Sequence, residues 1–198
     1  LKKRVLKLQK AHALLLAKNE SLEKLAGRDA LTQLPNRAQF TDSLSRALSK
    51  STRCRDQFAV FSIDLDGFKS VNDTLGHQTG DAILREVSAR LLSTMREEDV
   101  VARMGGDEFC AIVSDIAHYR VAGRIANKLI NALSEPYHIK GNVLQLGASI
   151  GVAIFPLAGL NAKTLLHHAD VALYQAKSKG KNGFRYFTAR LNGEYRQR

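Results

Sequence analysis

The first 28 residues repeat a set of mostly apolar positions in alternating steps of four and three. This is the spacing of the a and d positions of a coiled coil. The repeated positions are Leu1, Val5, Leu8, His12, Leu15, Asn19, Leu22 and Ala26. At an a position, the amide of Asn19 favours two strands in register. We therefore expect an N-terminal helix that forms a parallel two-stranded stalk over residues 1–28. The alternative is a single amphipathic helix packed on its own domain, because further leucines widen the apolar face.

Beyond residue 37, helical spacing alternates with short apolar runs. Helical spacing predicts helices over residues 38–49, 80–95, 116–133 and 164–177. Apolar runs predict strands over residues 58–64, 100–103, 108–113, 144–155 and 183–187. Gly105-Gly106 indicates a tight hairpin between the second and third strands. This order predicts an α+β domain, a mixed central sheet covered by helices, of the ferredoxin-like or palm type.

Charge is concentrated at the two ends of the chain. Of the net charge of +11, residues 1–28 carry +6 (eight Lys/Arg against two Glu) and residues 188–198 carry +2 (three Arg against one Glu). The middle of the chain is therefore close to balanced, and its aromatic residues are few. We interpret the basic ends as solvated helix faces, near anionic lipid at most, and expect no nucleic-acid partner.

Membrane and redox signals point to a cytoplasmic domain. The longest apolar stretches, such as residues 144–156, are too short and too interrupted to span a bilayer, and the N-terminus lacks a signal-peptide core. Cys54 and Cys110 form no Cys-x-x-Cys or Cys/His pattern. We therefore expect two free thiols, with Cys110 in the core.

Acidic residues cluster at two predicted strand ends. Asp64 and Asp66 follow the apolar part of the strand over residues 58–64, and Asp107 and Glu108 follow the Gly-Gly turn. If the hairpin lies beside the first strand, Asp64 and Asp107 converge. Two such carboxylates can hold Mg²⁺ against a triphosphate. On their own, however, acidic pairs at strand ends are more often solvated turns.

A series of short motifs then follows in a fixed order. They are Asp29-Ala-Leu-Thr-Gln-Leu-Pro-Asn-Arg37, Ile63-Asp-Leu-Asp-Gly-Phe-Lys69, Asn72-Asp73, Gly76-His77, Gly80-Asp81, Arg103-Met-Gly-Gly-Asp-Glu-Phe109, Ser149-Ile-Gly-Val-Ala153, Ala169-Asp-Val-Ala-Leu-Tyr-Gln-Ala-Lys177 and Gly180-Lys181-Asn182. Together they resemble the motifs of GGDEF domains, the diguanylate cyclases. The resemblance spans residues 29–187. It implies a palm-type nucleotide cyclase fold and the condensation of two GTP molecules into cyclic di-GMP and two pyrophosphates.

The resemblance also implies roles for particular residues. Asp64 and Asp107 would bind Mg²⁺ (or Mn²⁺) together with the backbone carbonyl of Leu65, and Asp107 takes the position often assigned as general base. The substrate-binding residues implied are Asn72 and Asp81 for guanine, His77 in support of that pocket, Phe68 and Lys69 in the phosphate loop, and Lys177 and Lys181 at the far end of the triphosphate.

Three positions depart from the family pattern. Gln33 replaces the usual glycine of the first motif, Met104 replaces a commoner aromatic residue or leucine, and Lys181 replaces a commoner arginine. None of the three removes a metal ligand. The lysine trades a bidentate fork for a point charge, which would weaken GTP binding modestly.

Regulation is implied by a further likeness. Arg96 and Asp99 form an Arg-x-x-Asp that resembles the family's inhibitory site for its product cyclic di-GMP, with Arg124 as a weaker second candidate. Without the likeness, a solvated charged turn is the simpler interpretation.

The resemblance further implies a homodimer, an upstream sensor domain that a membrane could anchor, and a linker over residues 188–198 toward an EAL phosphodiesterase domain. The alternative function is a catalytically silent, GTP-binding domain that controls that EAL domain.

Overall fold

The computed structural model describes residues 27–188. Except for residues 27–28, the predicted stalk lies outside this range, and so does the predicted linker after residue 188. The strands of the described range are β1 (Phe58–Asp66), β2 (Val100–Gly105), β3 (Glu108–Val113), β4 (Tyr137–Ile139), β5 (Asn142–Leu144), β6 (Gly147–Phe155) and β7 (Gly183–Tyr186). Its helices are α1 (Arg37–Cys54), α2 (Phe68–Leu75), α3 (His77–Thr94), α4 (Tyr119–Ser134) and α5 (Ala162–Ser178).

A mixed five-stranded sheet with the strand order β2-β3-β1-β6-β7 forms the centre of the described range. Neighbouring strands are antiparallel except β6 and β7, which run parallel. Strands β4 and β5 form a separate two-stranded sheet. The predicted mixed sheet covered by helices is therefore confirmed, with β1 at its centre.

Side chains of β1 alternate between two apolar cores, as strand geometry requires. Phe61 and Ile63 pack in a core shared with α3 and α4. Phe58 and Val60 pack in a second core, shared with α1 and α5. Asp64 has the parity of Phe58 and Val60, so it lies on the face that α5 covers.

Polar side chains cap three of the helices. The Asn36 side chain accepts hydrogen bonds from two backbone N–H groups at the start of α1, at 3.0 and 3.1 Å. Asn161 accepts from Thr164 N at 2.9 Å before α5, and His118 Nδ1 accepts from Arg120 N at 3.2 Å before α4. Such caps satisfy backbone donors that have no partner inside the helix.

The predicted borders around β1 were wrong in two places. β1 continues to Asp66, so Asp64 and Asp66 lie inside the strand and do not follow it. The helix predicted from residue 80 begins at His77 and follows the short helix α2, which was not predicted. The resemblance implied a phosphate loop at Phe68 and Lys69, but both residues lie in α2, which Gly76 ends, and Gly80 lies inside α3.

Two further predicted elements also differ from the structure. The strand predicted over residues 144–155 is divided between β5 and β6, which belong to different sheets. A continuous apolar run does not reveal a change of sheet. The helix predicted from residue 116 begins at Tyr119, because Ile116 instead donates its backbone N–H to Gln57 at 3.1 Å.

Both cysteines are free, as predicted, with Cys54 exposed and Cys110 buried. Burial raises the pKa of the Cys110 thiol to about 12, so it behaves as a small apolar side chain. Within residues 27–188, no helix is both long and apolar enough to cross a membrane.

Candidate functional site

Strand pairing brings the two predicted metal carboxylates together. Asp64 lies opposite Glu108 in the β1–β3 ladder, and Asp107 is the residue just before β3. The two are close enough for the charge of Asp107 to act on Asp64. Gly105 and Gly106 form the turn with φ of 142° and 52°, and no atom of the described part of the chain lies within 4 Å of the place where either would carry a Cβ. The turn thus needs glycine and leaves open space beside Asp107.

The turn is held in place by Arg103. Its Nη1 donates to both carboxylate oxygens of Asp29 at 3.0 Å, and its Nε and Nη2 donate to the carbonyl of Gly106 at 3.0 and 2.8 Å. The Arg103 backbone N–H also donates to Pro35 at 3.0 Å. The motif over residues 29–37 therefore anchors the hairpin that carries Asp107. The sequence around Arg103 did not predict this role, because nothing local indicates a partner 74 residues away.

The carboxylate of Asp29 accepts hydrogen bonds from neighbouring residues of the chain. Burial raises its pKa, but hydrogen bonds from the side chain and backbone of Thr32 and from Arg103 outweigh that effect, and the net pKa is lowered. Nearby, Gln33 has φ of 61°, a conformation that glycine adopts at little cost. This explains why glycine suits the position where the sequence departs from the family pattern.

The carboxylate of Asp64 has less positive charge near it than negative charge. Its side chain lies 2.6 Å from Lys177 Nζ, on α5, and Asp64 is only 8% exposed. Burial raises the pKa of Asp64; Lys177 lowers it, and the charges of Asp107 and Asp66 raise it further, so the net pKa is raised. A buried carboxylate with this imbalance is a suitable place for an additional cation.

The donor set suits a hard cation only if a ligand supplies more oxygens. Among residues 27–188, no group of three or more His, Cys, Asp or Glu side chains could hold a metal ion. Asp64, Asp107 and the carbonyl of Leu65 are all oxygen donors, and pairing of β1 with β3 ends at Asp64, beside Leu65. Mg²⁺ commonly binds to one or two carboxylates plus substrate phosphates. The residues therefore fit Mg²⁺ (or Mn²⁺) together with a nucleoside triphosphate.

The predicted guanine-binding residues lie where α2 meets α3. A Cβ on Gly80 would lie 1.9 Å from Asn72 Oδ1, so the glycine makes room for the amide. This oxygen is buried and finds no hydrogen-bond partner among residues 27–188. Since an unpaired buried acceptor costs about 1–3 kcal/mol, the protein alone leaves this corner unsatisfied. His77 is exposed and Asp81 half-buried, one turn apart on α3.

The predicted phosphate-binding residues fall into two groups. Phe68 is buried at the start of α2, with its ring 3.2 Å from the Cβ position of Gly80, so its side chain packs and only its backbone is suited to phosphate. Lys69 is exposed beside it. Lys177 binds Asp64, and Lys181 is exposed in the turn after α5.

The predicted inhibitory pair lies at the other end of β2, about 20 Å along the strand from the Gly-Gly turn. The Arg96 side chain is 61% exposed, and its Nη1 lies 3.7 Å from Glu98. Asp99 accepts the backbone N–H groups of Arg96 and Ser114 at 3.1 and 3.0 Å. Arg96 is thus accessible to a ligand, whereas Asp99 already closes the turn. Arg124 is exposed on α4.

A cleft of about 700 Å³ adjoins this turn, between α1 and the outer strands. Its charged lining consists of Arg46, Lys50, Arg53, Glu98 and Asp115. The three basic residues of this lining, which lie on α1, could not be predicted from the sequence, because helical periodicity does not tell which polar face borders a cleft.

Comparisons with known proteins agree with this arrangement. The family model "Diguanylate cyclase, GGDEF domain" matches residues 26–183. The bifunctional diguanylate cyclase/cyclic di-GMP phosphodiesterase MucR of Pseudomonas aeruginosa is 41% identical over 174 residues, which are 88% of this chain and 25% of MucR. The chain thus spans about a quarter of that relative.

Solved structures show the same fold. The GGDEF domain of TpbB from Pseudomonas aeruginosa has a TM-score of 0.80 at 38% identity, over 86% of this chain and 99% of that one. The coiled coil and GGDEF domain of DgcB from Caulobacter crescentus, in complex with c-di-GMP, has a TM-score of 0.75 at 27% identity, over 93% of this chain and 98% of that one. The predicted palm-type cyclase fold is therefore confirmed.

Proposed function

The chain belongs to the GGDEF diguanylate cyclase family, and from this premise we propose that it condenses two GTP molecules into cyclic di-GMP and two pyrophosphates. The observation that carries the proposal is the proximity of Asp64 and Asp107 at the end of the β1–β3 ladder, with the pKa of Asp64 raised by burial and by its acidic neighbours. An inactive remnant has no physical need to keep two acids close together with so little compensating charge.

Three groups would hold the metal: Asp64, Asp107 and the carbonyl of Leu65. Bound there, Mg²⁺ (or Mn²⁺) supplies neutralisation of the triphosphate charge. Lys177 already lies at the site, where it partly compensates Asp64. Because its ammonium is carried by a flexible stem, Lys177 can turn from Asp64 to a phosphate oxygen when other positive charge arrives.

Guanine would bind in the corner between α2 and α3. Asn72 and Asp81 can pair with the acceptor and the N–H donors on the guanine edge, and His77 would support the same pocket. Buried polar groups of this kind reject a base that leaves them unpaired. Phe68 and Lys69, at the start of α2, would bind the phosphates, and Lys181 would bind the far end of the triphosphate.

The reaction needs two copies of the chain, each with one GTP. The 3′-hydroxyl of each GTP attacks the α-phosphate of the other in line, the bond to pyrophosphate breaks, and Asp107 accepts the hydroxyl proton. A homodimer is therefore part of the proposed mechanism. A coiled-coil stalk over residues 1–28 would set how the two half-sites meet and would connect them to an upstream sensor. We place the domain in the cytoplasm, where GTP is available.

The deciding experiment is incubation of the protein with GTP and Mg²⁺, followed by chromatographic separation of the nucleotides. We expect cyclic di-GMP and pyrophosphate from the parent chain. Asp107→Ala should abolish product while the thermal unfolding midpoint changes little, because the turn around this residue is open. Asp42→Ala, an exposed acid on α1, is the matched control and should retain activity.

A parent chain that binds GTP but makes no product would instead support the second candidate, a silent GTP-binding domain that controls an attached EAL phosphodiesterase. The observation that favours this candidate is the likeness to NbdA of Pseudomonas aeruginosa, 38% identical over 171 residues, which is named only as a cyclic di-GMP phosphodiesterase. In that case, GTP should still raise the unfolding midpoint, and Asn72→Ala should remove the effect.

Feedback by the product forms the last part of the proposed function. The exposed guanidinium of Arg96 can donate to a phosphate or to a guanine acceptor, and the DgcB structure contains c-di-GMP. Added cyclic di-GMP should slow turnover without competing with GTP, and Arg96→Ala should relieve the inhibition. Equal inhibition of Arg96→Ala and the parent would refute the assignment of Arg96 and Asp99.

A further inference from the structure

Asp66, the last residue of β1, is an acid to which neither the metal site nor the guanine pocket gives a role. Its carboxylate accepts Ser149 Oγ at 3.0 and 2.9 Å and the backbone N–H of Asn182 at 2.9 Å. Ser149 is fully buried in β6, and Asn182 lies 116 residues after Asp66 in the turn between α5 and β7. Asp66 therefore ties the end of the central strand to that turn.

The turn that Asp66 holds has an unusual backbone. Lys181 and Asn182 have φ of 59° and 41°, in the left-handed region that non-glycine residues seldom occupy unless their surroundings fix them. The Lys181 N–H donates to Ala176 at 3.2 Å. Asn182 Oδ1 accepts Ala148 N at 3.4 Å and Ser134 Oγ at 3.0 Å. The bond to Asp66 completes this set.

Gly147 allows the carboxylate and the turn to approach. It lies opposite Asp66 in the β1–β6 ladder. A Cβ on Gly147 would lie 3.3 Å from Asp66 Oδ2 and 3.3 Å from Asn182 Oδ1, closer than most Cβ contacts. The missing side chain thus gives the turn room to pack directly on the ends of β1 and β6.

Asp64 and Asp66 lie two residues apart, so they project to the same face of the sheet. Asp64 contacts Lys177 at the end of α5, and Asp66 holds the turn that carries Lys181. Each of the two predicted triphosphate lysines is therefore connected to one acid of β1, directly for Lys177 and through the backbone for Lys181.

We propose that Asp66 is a positioning residue that holds Lys181 where its ammonium reaches the far end of the GTP triphosphate. This rests on the proposed function, which assigns Lys181 to that phosphate. Asp66 does not touch the nucleotide. It acts through the Asn182 N–H, which fixes the backbone from which the Lys181 side chain extends.

The test is a double-mutant cycle of Asp66→Ala and Lys181→Ala. Affinity is measured by titration calorimetry with Mg²⁺ and a GTP analogue that has a methylene bridge between its α- and β-phosphates, so that no turnover occurs. Each single variant should weaken binding roughly tenfold, as expected for loss of one charge-assisted contact. The double variant should be no weaker than the weaker single variant. Affinity for GMP, which lacks the far phosphates, should stay unchanged.

Two further variants separate positioning from folding. Asp66→Asn keeps an acceptor for the Asn182 N–H and should recover most of the affinity. Ser149→Ala removes a partner of Asp66 but leaves the bond to the turn, so it should weaken binding less than about threefold. If Asp66→Ala does not fold, as judged by its thermal unfolding, the cycle is run with Asp66→Glu, whose longer side chain displaces the carboxylate from the Asn182 N–H. Asp66→Glu should weaken binding in the parent background and have no effect in a Lys181→Ala background, and an equal loss in both backgrounds would overturn the inference.

Roughly hundredfold, additive losses in the double variant would overturn the inference, since additivity indicates independent sites. Parent-like binding by Asp66→Ala would also overturn it, and so would an equal loss of GMP affinity. In steady-state assays, Asp66→Ala should have a raised KM for GTP and a kcat within a few fold of that of the parent. A parent chain that does not bind the analogue would overturn the proposed function itself, and this inference with it.

Discussion

Two carboxylates in this domain each bind one basic side chain, yet their pKa values shift in opposite directions. The pKa of Asp29 is lowered and that of Asp64 is raised. Burial raises both. For Asp29, hydrogen bonds from Thr32 and from the guanidinium of Arg103 lower the pKa by more than burial raises it. For Asp64, Lys177 lowers the pKa, but two acidic neighbours, Asp107 and Asp66, raise it further. The difference separates an acid that serves the fold from one that is available for a ligand.

The largest expected effect comes from Asp64→Asn. Removing one of the two metal carboxylates should lower turnover by roughly 10³-fold. Stability should stay constant or rise, because the substitution removes a buried charge that the fold compensates only partly. Product formation and urea unfolding measure the two effects, and a marked loss of stability would mean that Asp64 serves the fold as Asp29 does.

Asp29→Asn should show the opposite pattern. Loss of the charge that Arg103 and Thr32 bind should lower the free energy of unfolding by about 1–3 kcal/mol. Turnover should fall less than in Asp64→Asn, because Asp29 affects the site only through the position of the Gly-Gly turn. Urea unfolding at neutral pH measures the first effect. Asp42→Asn, an exposed acid on α1, is the control and should change stability by less than about 0.5 kcal/mol.

Exchanging arginine and lysine at the two basic partners, Arg103 and Lys177, should give a smaller difference in stability. Arg103 uses three nitrogens to bind Asp29 and the Gly106 carbonyl, and a lysine cannot reproduce that geometry. Arg103→Lys should therefore cost about 1 kcal/mol of stability, and Lys177→Arg less than about 0.5 kcal/mol, because Lys177 is 37% exposed and makes one contact. Equal costs in urea unfolding would contradict the contrast.

The pH dependence of stability should show the smallest effect, with opposite sign for the two acids. Because the folded-state pKa of Asp29 is lowered, its ionised form stabilises the fold above the ordinary value of 3.8, and this is lost as the pH falls through the folded pKa. For Asp64, ionisation costs stability above its raised pKa, and the cost disappears below 3.8. The stability difference between the parent and each Asn variant should therefore shrink toward pH 3. A difference that is the same at pH 7 and pH 3 would exclude this linkage.

Sequence predicted the strands better than the contacts. β1, β3 and the Gly-Gly hairpin follow from apolar runs and one turn signal. Helix α2, with eight residues, and strands β4 and β5, with three each, are too short to show a period. The predicted strand ends indicated that Asp64 and Asp107 converge if the hairpin lies beside the first strand, and β3 does pair with β1, with Asp64 opposite Glu108.

The partners of the acids could not be predicted, because local pattern carries no information about contacts far along the chain. Arg103 meets Asp29 across 74 residues, and Ser149 and Asn182 meet Asp66 across 83 and 116. Nor does a spacing rule tell that Asp64 would be buried while Lys69 and Lys181 are exposed. These properties emerge only when the sheet order is known.

That sheet order also governs how the domain can fold. β1 leaves the ribosome before both of its neighbours. β3 follows only after two helices and β2, and Ser149 of β6 comes 83 residues after Asp66. Until β6 is made, the central strand β1, which is buried in the folded domain, keeps an unpaired edge that can join another chain. Pairings between such distant segments make folding slow. A nascent chain that stops before residue 147 should therefore need a chaperone to stay soluble, and the nucleotide site should be among the last parts to form.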